Sequence, residues 1–371
     1  MTPIRYSADK EKALDILTTS GVTIGGIVAC LPQNILDNRT ACAELYGDGV
    51  ETLIKATGIE GRAIVDRGTT ALDLCTVAAH ELLQETGTSP EEIGAVICVT
   101  FTPEHIMPAD APAAQARLGL PNECMAFDVN MACSGYGYGM YLASTICKQL
   151  GKKVLLLDGD AQTAYVSQRD KATMPVMGDV GTATLLEPRD GAASWNYSFY
   201  TDGSKREALY IPAGGSKRRV TPDDIQPKAY DDGSERSDID IYMDGFGIFK
   251  FVAVTASRFI KSYMAEREIA PEDIDIFVPH QANIYMISQL AKKLGIPEEK
   301  MWKSGDVYGN PASASVPLTI AANAREWFSA GGGVHTLFAG FGGGLSISVA
   351  DVDLNADGYY GLVRYENEDG E

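Results

Sequence analysis

The chain has 371 residues, of which 45% are hydrophobic, and its formal net charge at pH 7 is −19. This length and apolar content suffice for one large domain or two similar ones, and the negative charge argues against nucleic acid or an anionic membrane as a partner. The sequence has no apolar run near ~20 residues and no signal-peptide pattern, so we expect a soluble, unexported, cytoplasmic protein without membrane contact.

Strand-like and helix-like segments alternate along the chain, which predicts an α/β fold. The predicted elements of the first half are Val22–Leu31 (strand), Ala71–Thr86 (helix), Ile93–Thr100 (strand), Ala111–Leu118 (helix), Met125–Cys133 (strand), Ser134–Leu150 (helix), Lys153–Asp158 (strand) and Gly181–Leu186 (strand). The segment from Lys205 to Asp238 is polar and rich in glycine, proline and charged residues, so we expect a long surface excursion there.

The second half repeats the order of elements in the first half. Pro90–Val99 and Pro271–His280 both contain a helix-start turn that runs into an apolar strand, and the helix Ser134–Leu150 has a counterpart in Ala312–Ala330. A repeat at about half the chain length predicts a duplication, with two similar βαβ halves at residues 1–190 and 191–371. Chance matching of common α/β pieces is the alternative.

Cys133 lies at the junction between a predicted strand and a predicted helix. Backbone N–H groups and the helix dipole stabilise a thiolate at such a position, and the small residues that follow allow a substrate to approach. A buried structural thiol is the alternative interpretation. The seven cysteines contain no CxxC pair and the chain has only four histidines, so we expect reduced thiols and no metal site.

Two further polar residues lie at the ends of predicted elements. His280 ends a predicted strand, and Asn310 lies in a turn that leads into the predicted helix at Ala312. A single histidine at a strand end is more often structural than catalytic. In a duplicated fold, however, a pseudo-twofold axis would bring both residues to Cys133. The glycines of Gly340–Gly344 leave backbone N–H groups open to a substrate oxygen, although a hairpin or bulge gives the same string.

Four segments resemble the motifs of β-ketoacyl-acyl-carrier-protein synthase III, a condensing-enzyme family of the thiolase fold. They are Asp128–Gly135, Pro279–Asn283, Tyr308–Ser313 and Gly340–Gly344. The resemblance extends from about Val22 to Leu354. It implies a thiolase-like fold with duplicated βαβ halves in a five-layer αβαβα sandwich. It also implies a homodimeric acyltransferase of fatty-acid or polyketide biosynthesis, which takes acyl-coenzyme A or acyl-carrier-protein thioesters and needs no metal or redox cofactor.

The resemblance also implies the role of each motif residue. Cys133 would carry the acyl group as a thioester, and His280 and Asn310 would donate hydrogen bonds to the carbonyl of a malonyl thioester. Loss of CO2 would then give an enolate that attacks the acyl group in a decarboxylative Claisen condensation. The backbone N–H groups of Cys133 and Gly343 would form the oxyanion hole, and the product would be a β-ketoacyl thioester.

Further residues match substrate and partner positions of the family. Those expected at the acyl substrate are Met107, Phe246, Phe249 and Gly342, with Met107 on a loop that reaches the partner's acyl pocket. Those expected to dock an acyl carrier protein are Lys250, Lys292 and Lys293. The chain departs from relatives that prime with acyl-coenzyme A, because Thr52, Ala56 and Lys171 stand where an aromatic residue and two arginines usually hold the adenine.

Three other functions remain open from the sequence. The same fold and nucleophile would serve an acyltransferase that moves an acyl group to an oxygen or nitrogen acceptor. The chain would also fit an idle subunit that supports an active paralogue in a heterodimer. A papain-like cysteine hydrolase has the same chain order of Cys, His and Asn, but its Cys-Gly-Ser/Ala-Cys-Trp/Tyr signature is absent here.

Overall fold

The computed structural model describes residues 14–366. The expectation of an unexported protein rests on the start of the chain, part of which lies outside the described residues. Across residues 14–366, no helix is long and apolar enough to cross a membrane.

The strands are β1 (Leu17–Thr19), β2 (Val22–Leu31), β3 (Asn34–Asp37), β4 (Gly61–Ile64), β5 (Ile93–Val99), β6 (Met125–Val129), β7 (Lys153–Asp160), β8 (Val180–Pro188), β9 (Trp195–Thr201), β10 (Leu209–Tyr210), β11 (Lys228–Ala229), β12 (Glu235–Arg236), β13 (Tyr242–Met243), β14 (Ile276–Pro279), β15 (His335–Gly342), β16 (Ser346–Asp353) and β17 (Tyr359–Arg364). The α-helices are α1 (Asn38–Ala41), α2 (Ala43–Tyr46), α3 (Val50–Thr57), α4 (Ala71–Glu85), α5 (Asp110–Arg117), α6 (Gly135–Leu150), α7 (Gly245–Lys250), α8 (Ser257–Glu266), α9 (Ile284–Leu294), α10 (Gly305–Tyr308) and α11 (Ser315–Ser329).

Two large sheets form the frame of the molecule. One has the strand order β17-β2-β8-β7-β5-β6, and the other has the order β1-β9-β16-β15-β14. In both sheets two antiparallel pairings are followed by a parallel one, β2-β8-β7-β5 matching β9-β16-β15-β14. A parallel bridge between Phe277 and Met301 takes the place that β6 has beside β5. This topology is the one that a duplicated chain produces.

The terminal strands cross between the two halves. β1 pairs with β9 of the C-terminal half, and β17 pairs with β2 of the N-terminal half. The domain boundary between residues 190 and 191 therefore stays a prediction. A division there leaves β1 in the sheet of the C-terminal half and β17 in the sheet of the N-terminal half.

The helices complete five layers. α6 and α11 lie between the two sheets and contact both of them. α4 and α5 cover the outer face of the six-stranded sheet, and α8 and α9 cover the outer face of the five-stranded sheet. Gly139 shows why α6 packs so closely, since a Cβ there would lie 2.8 Å from side-chain atoms of Leu156 and Val99. The α/β class and the αβαβα order predicted from the sequence are both present.

Three element boundaries differ from the sequence-based expectation. The strand expected to reach Cys133 ends at Val129, because Ala132 has a φ of 43° that no strand tolerates. The sequence places Gly340–Gly344 between two predicted strands; in the structure β15 continues to Gly342, so only the last two glycines lie in the following turn. The sequence also predicts a long helix from Phe249 to Glu268; in the structure the helical segment begins at Gly245 and contains a π-helical turn, Phe251–Ala256, between α7 and α8.

The excursion expected between Lys205 and Asp238 is only partly a surface feature. Its flanks form a two-stranded ribbon of β10 and β13, and β11 and β12 pair in a separate short hairpin. Apolar side chains of the ribbon face the interior of the protein, where they join a buried cluster around Ile241. The composition of the segment did not predict this burial, because the apolar residues at its flanks are few.

Candidate active site

A cavity of about 480 Å³ lies beside the two turns that precede α6 and α11. These turns, Ala132–Ser134 and Ala312–Ala314, contact one another, and each leads directly into one of the two central helices. The cavity is lined by five residues that the motifs had singled out: Cys133, His280, Asn310, Gly342 and Gly343. The tertiary structure thus brings together side chains that are up to 210 positions apart in the sequence (343 − 133).

Cys133 is nearly buried and lies in a 3-10 turn at the start of α6. Burial, together with the nearby carboxyl of Asp160, raises the pKa of the Cys133 thiol to about 12, while the backbone N–H groups of Gly343 and of Cys133 itself act in the opposite direction. The resting side chain is therefore a thiol at neutral pH. The two N–H groups that reach its sulfur are the pair expected to form an oxyanion hole.

Gly342 leaves space for the side chain of Cys133. A Cβ at this position would lie 2.7 Å from Cβ and 2.9 Å from Sγ of Cys133. Both separations are shorter than real Cβ contacts allow, so any larger residue would displace the sulfur. The backbone of β15 can approach the cysteine only because this residue is glycine.

His280 follows the last residue of β14 and is fixed from three directions. Its backbone N–H donates to the carbonyl oxygen of Ala339 at 2.7 Å, and Nδ1 lies 2.8 Å from Oγ of Ser315. The Phe341 ring stands at 78° to the imidazole with the centroids 5.4 Å apart. Burial lowers the pKa of His280 to about 3, against a smaller opposite contribution from the backbone of Ala312. The imidazole is therefore neutral at physiological pH.

The Asn310 side chain is held in one orientation. Its Oδ1 accepts a hydrogen bond from the backbone N–H of Ala312 at 3.0 Å. Its backbone N–H donates to Val176, and its backbone carbonyl accepts from Nε2 of Gln162 at 2.5 Å. With Oδ1 engaged, the amide Nδ2 remains available as a donor to a group in the cavity.

The other predicted substrate residues are divided between the cavity and the surface. Phe249 lines the cavity although its side chain is 41% exposed, and Lys171 lies among the lining residues too. Phe246 and Met107 are 78% and 84% exposed and lie outside the lining of this single chain. The predicted docking residues Lys250, Lys292 and Lys293 are all exposed.

Two contacts of the site were missed from the sequence. Ser315 is the first residue of α11 and lies beside the His280 ring, and Phe341 lies inside the glycine segment. Ser315 falls five residues after Asn310, in the first turn of the predicted helix Ala312–Ala330. Its closeness to Asn310 in the sequence was the signal that could have identified Ser315. The contact of Phe341 with His280 had no such signal, because it depends on the pairing of β14 with β15.

The described residues also bear on metal and disulfide chemistry. Within residues 14–366, no group of three or more His, Cys, Asp and Glu side chains is placed to hold a metal ion. All seven cysteines are free thiols.

Comparison with known proteins identifies the family. Residues 127–203 match 3-oxoacyl-(acyl-carrier-protein) synthase III, and residues 264–353 match the C-terminal region of the same family. The chain is 33% identical over 319 residues to β-ketoacyl-(acyl-carrier-protein) synthase III of Chlamydia caviae, with 85% of this chain and 92% of the relative covered.

Two solved structures extend the likeness to the whole fold. The 3-oxoacyl-(acyl-carrier protein) synthase of Burkholderia xenovorans superposes with a TM-score of 0.87 at 30% identity, covering 95% of this chain and 99% of the other. The β-ketoacyl-(acyl carrier protein) synthase III of Thermus thermophilus has a TM-score of 0.76 at 29% identity, covering 91% and 100%. A likeness of this extent leaves no room for a papain-like hydrolase. The chain belongs to the β-ketoacyl-acyl-carrier-protein synthase III family of thiolase-fold condensing enzymes, which form β-ketoacyl products by decarboxylative condensation.

Proposed function

We propose that Cys133, His280 and Asn310 are the catalytic residues of this condensation. The observation that supports the assignment is their meeting in one cavity, with a thiol beside two backbone N–H groups and a neutral imidazole and an oriented amide on the same walls. A transferase to an oxygen or nitrogen acceptor, or an idle heterodimer partner, gains no support from this arrangement.

In the first half-reaction Cys133 Sγ attacks the carbonyl carbon of an acyl thioester. The tetrahedral oxyanion is held by the N–H groups of Cys133 and Gly343, and its collapse breaks the bond to the donor sulfur. Because the resting side chain is a thiol, its proton must leave during the attack, and the departing donor thiolate takes it up. The result is an acyl-Cys133 thioester and a free donor thiol.

In the second half-reaction a malonyl thioester loses CO2, and the electron pair moves into an enolate. The ring N–H of neutral His280 and the Nδ2 amide of Asn310 donate hydrogen bonds to the enolate oxygen as its charge develops. The enolate carbon then attacks the acyl carbonyl on Cys133, and the same N–H pair holds the new oxyanion. Its collapse releases Cys133 as a thiolate, which takes a proton from water to restore the resting thiol. A β-ketoacyl thioester is released.

The acidic protein needs a local basic surface to receive an acyl carrier protein, the partner that the names of its relatives specify. Lys250, on the α7 segment that follows Phe249 of the cavity, and Lys292 and Lys293 on α9 are exposed and suit that role. We propose these three lysines as the docking residues. No cofactor beyond the acyl thioesters enters the scheme.

We further propose that the active form is a cytoplasmic homodimer. Seven free thiols suit a reducing compartment. Ile106 and Met107 are 89% and 84% exposed at the tip of one loop, and β6 is an edge strand whose Met125 is 47% exposed. A second copy seated there would cover these side chains and bring Met107 to its partner's acyl substrate.

The test separates the two half-reactions. Intact-protein mass spectrometry follows acylation of Cys133, and release of labelled CO2 follows decarboxylation of a malonyl thioester. We expect Cys133→Ala to lose the acyl adduct, and His280→Ala and Asn310→Ala to form the adduct but lose decarboxylation by two orders of magnitude or more. Full activity in all three variants would refute the assignment.

A further inference from the structure

Two asparagines occupy equivalent positions in the two halves of the chain. Asn310 lies three residues before Ser313, in the segment that leads into α11. Asn130 lies three residues before Cys133, in the segment that leads into α6, and both asparagines line the active-site cavity. Asn310 is buried, whereas Asn130 is exposed and its side chain makes no hydrogen bond within residues 14–366. The two asparagines therefore differ in how the rest of the fold holds them.

The backbone of Asn310 is paired with the segment that precedes β8. Its N–H donates to the carbonyl oxygen of Val176 at 2.8 Å, and its carbonyl oxygen accepts from the N–H of Gly178 at 3.0 Å. These two bonds form a parallel bridge between Asn310 and Met177. A Cβ on Gly178 would lie 2.5 Å from the carbonyl oxygen of Tyr308, so the two segments touch directly. The bridge has only two backbone hydrogen bonds, and a side chain supplies further support.

That side chain belongs to Gln162, which is 3% exposed and lines the cavity. Its Nε2 amide donates to the carbonyl oxygen of Asn310 at 2.5 Å and to that of Gly178 at 3.0 Å. Both hydrogens of the amide are therefore used, one on each side of the bridge. Gln162 thus ties together the two segments that the bridge joins.

The position of Gln162 is fixed by its neighbours in the chain. Gln162 begins a 3-10 turn that follows β7 after one intervening residue, Ala161. The N–H of Ala161 donates to Oγ1 of Thr102 at 3.0 Å. The N–H of Thr163 donates to Oδ1 of Asp179 at 2.9 Å. Because the backbone is held on both sides, the reach of the Gln162 side chain is set by the frame of the six-stranded sheet.

The partners of Gln162 also determine the orientation of its amide. If Oε1 and Nε2 exchanged places, Oε1 would face two carbonyl oxygens and both hydrogen bonds would be lost. In the part of the chain that the structure describes, Oε1 accepts no hydrogen bond. The side chain therefore supports its neighbours only as a donor.

We propose that Gln162 is a positioning residue for Asn310, whose backbone it holds so that the Nδ2 amide meets the enolate oxygen. The proposal rests on the proposed function, because it takes Asn310 as a donor to the enolate. A displacement of the Asn310 backbone displaces its amide, since Oδ1 is tied to the N–H of Ala312 only two residues further on. The geometry of such a donor matters most in the transition state, where the charge on the oxygen develops.

The expected effect is a loss of rate in one half-reaction. Gln162→Leu keeps the approximate size of the side chain and removes both hydrogen bonds. Misplacement of a catalytic group by about 1 Å costs roughly a hundredfold in rate, and for a smaller displacement we expect CO2 release from a malonyl thioester to fall by about tenfold. The fall should appear in kcat with little change in KM, because the bond to the enolate strengthens as charge develops. Acylation of Cys133 should change little.

A double-mutant cycle separates positioning from a structural role. Gln162 binds the backbone carbonyl of Asn310, which is retained in Asn310→Ala. If Gln162 acts through the Asn310 amide, adding Gln162→Leu to Asn310→Ala should cost nothing further in CO2 release. Its effect on the melting temperature should be the same in both backgrounds. A purely structural role would lower the residual rate by the same factor again.

The conservative variant Gln162→Glu adds a pH-dependent test. The new carboxyl donates to a carbonyl oxygen only when it is protonated, and is repelled by that oxygen when ionised. Relative to wild type, its CO2 release should therefore rise as the pH falls from about 8 to about 5, whereas the ratio for Gln162→Leu should stay constant. The titratable side chains that flank this turn or line the cavity are Asp160, Asp179, Lys171, His280 and Cys133.

Gln115 provides a matched control. Its Nε2 also donates to two carbonyl oxygens, those of Leu120 and Pro121, but it lies on α5 outside the cavity lining. Gln115→Leu removes the same kind of bonds and should leave both CO2 release and acylation unchanged. Thermal melting of the two leucine variants shows how much of any loss comes from a weakened fold.

The outcomes divide as follows. A loss of CO2 release in Gln162→Leu that disappears in the Asn310→Ala background supports the proposal. Full CO2 release in Gln162→Leu, or a loss that persists in that background, overturns it and leaves the proposed function intact. If Gln162→Leu does not fold, a constant ratio of Gln162→Glu to wild type across the pH range overturns the proposal. Wild-type CO2 release in Asn310→Ala overturns the proposed role of Asn310 itself, and the role of Gln162 with it.

Discussion

The two turns that precede the central helices have the same backbone and different chemistry. Ala132 has a φ of 43° and Ala312 a φ of 49°, both in the left-handed region that is unfavourable for alanine. Each alanine begins a 3-10 turn that runs into α6 or α11. Cys133 and Ser313 therefore occupy equivalent places in the two halves.

The strands that face these turns account for the difference. Gly340 and Gly342 on β15 lie against Cys133 and its neighbour Ser134, and leave the thiol open to the cavity. The matching positions of the equally long β7 carry Asp158 and Asp160. Oδ1 of Asp158 accepts a hydrogen bond from Ser313 Oγ at 2.5 Å, and both side chains are buried.

The backbone of the turn by itself therefore does not decide whether its side chain is open to the cavity. The same strained turn presents a thiol that borders the cavity where the facing strand has glycines, and a buried, hydrogen-bonded hydroxyl where it has carboxylates. Access to the side chain of the turn is thus decided by residues of a strand more than 150 positions away in the sequence (313 − 158 and 342 − 133).

The largest effect is expected from a side chain at position 342, which would fill the space beside the Cys133 thiol. In Gly342→Ala, the new Cβ would overlap the Cys133 side chain, and a displacement of the sulfur by about 1 Å costs roughly a hundredfold in rate. We expect acylation of Cys133, measured by intact mass, to fall by about that factor with little loss of thermal stability. Gly49→Ala, where a Cβ meets open space, is the control. Acylation within a few-fold of wild type would show that the glycine is not needed.

A smaller effect is expected at Ser315. Its Oγ lies 2.8 Å from His280 Nδ1 and accepts from the backbone N–H of Gln281 at 3.2 Å. Ser315→Ala removes this support from the imidazole, so CO2 release should fall roughly tenfold, the equivalent of one hydrogen bond. Acyl-enzyme formation should change little. Ser313→Ala on the same segment is the control and should leave CO2 release unchanged; equal losses in both variants would point to a general structural effect.

Ser313→Ala should instead lower stability. It leaves Oδ1 of the buried Asp158 without its hydrogen-bond donor, and Oδ2 of the same carboxyl has no partner among the described residues. The expected loss in the free energy of unfolding is about 1–3 kcal/mol, measured by urea denaturation. The double variant Ser313→Ala/Asp158→Val removes both polar groups and should recover much of it. A double variant less stable than Ser313→Ala would contradict this reading of the pair.

The smallest effect is a pH dependence at Asp160. Burial raises the pKa of this carboxyl to about 7, against hydrogen bonds from Phe101, Thr100 and Thr102. The unfolded state gives up its proton near pH 4, so Asp160 destabilises the fold increasingly between about pH 4 and pH 7. Asp160→Asn does not titrate, so its melting temperature relative to wild type should rise by a few degrees from pH 5 to pH 8. A constant or falling difference would contradict the raised pKa.

Much of the fold could be predicted because its elements are locally encoded. β2, α4, β5, α6 and β8 agree with the predicted bounds to within about two residues, since apolar periodicity and turn residues mark them. The errors lie where the backbone is unusual. Neither the left-handed Ala132 nor the π-helical turn Phe251–Ala256 has a local sequence signal.

The proposed catalytic residues were also accessible from the sequence. Cys133, His280, Asn310 and the glycines sit at element ends within short motifs, and a duplicated fold makes those ends meet. The residues that shape the cavity were not accessible in this way. Leu209 and Ile241 belong to a segment whose average composition is polar, so their burial depends on the folding of the whole segment over the site.

By itself the sequence determined the α/β class, the duplication and the family, and it pointed to Cys133, because periodicity and motifs are properties of neighbouring residues. Only the tertiary structure decided which of two equivalent turns is open, which side chains face the acyl group, and how Ser315 and Phe341 fix His280. Those features are contacts between residues far apart in the chain, and such contacts form only when both sheets have closed around the central helices.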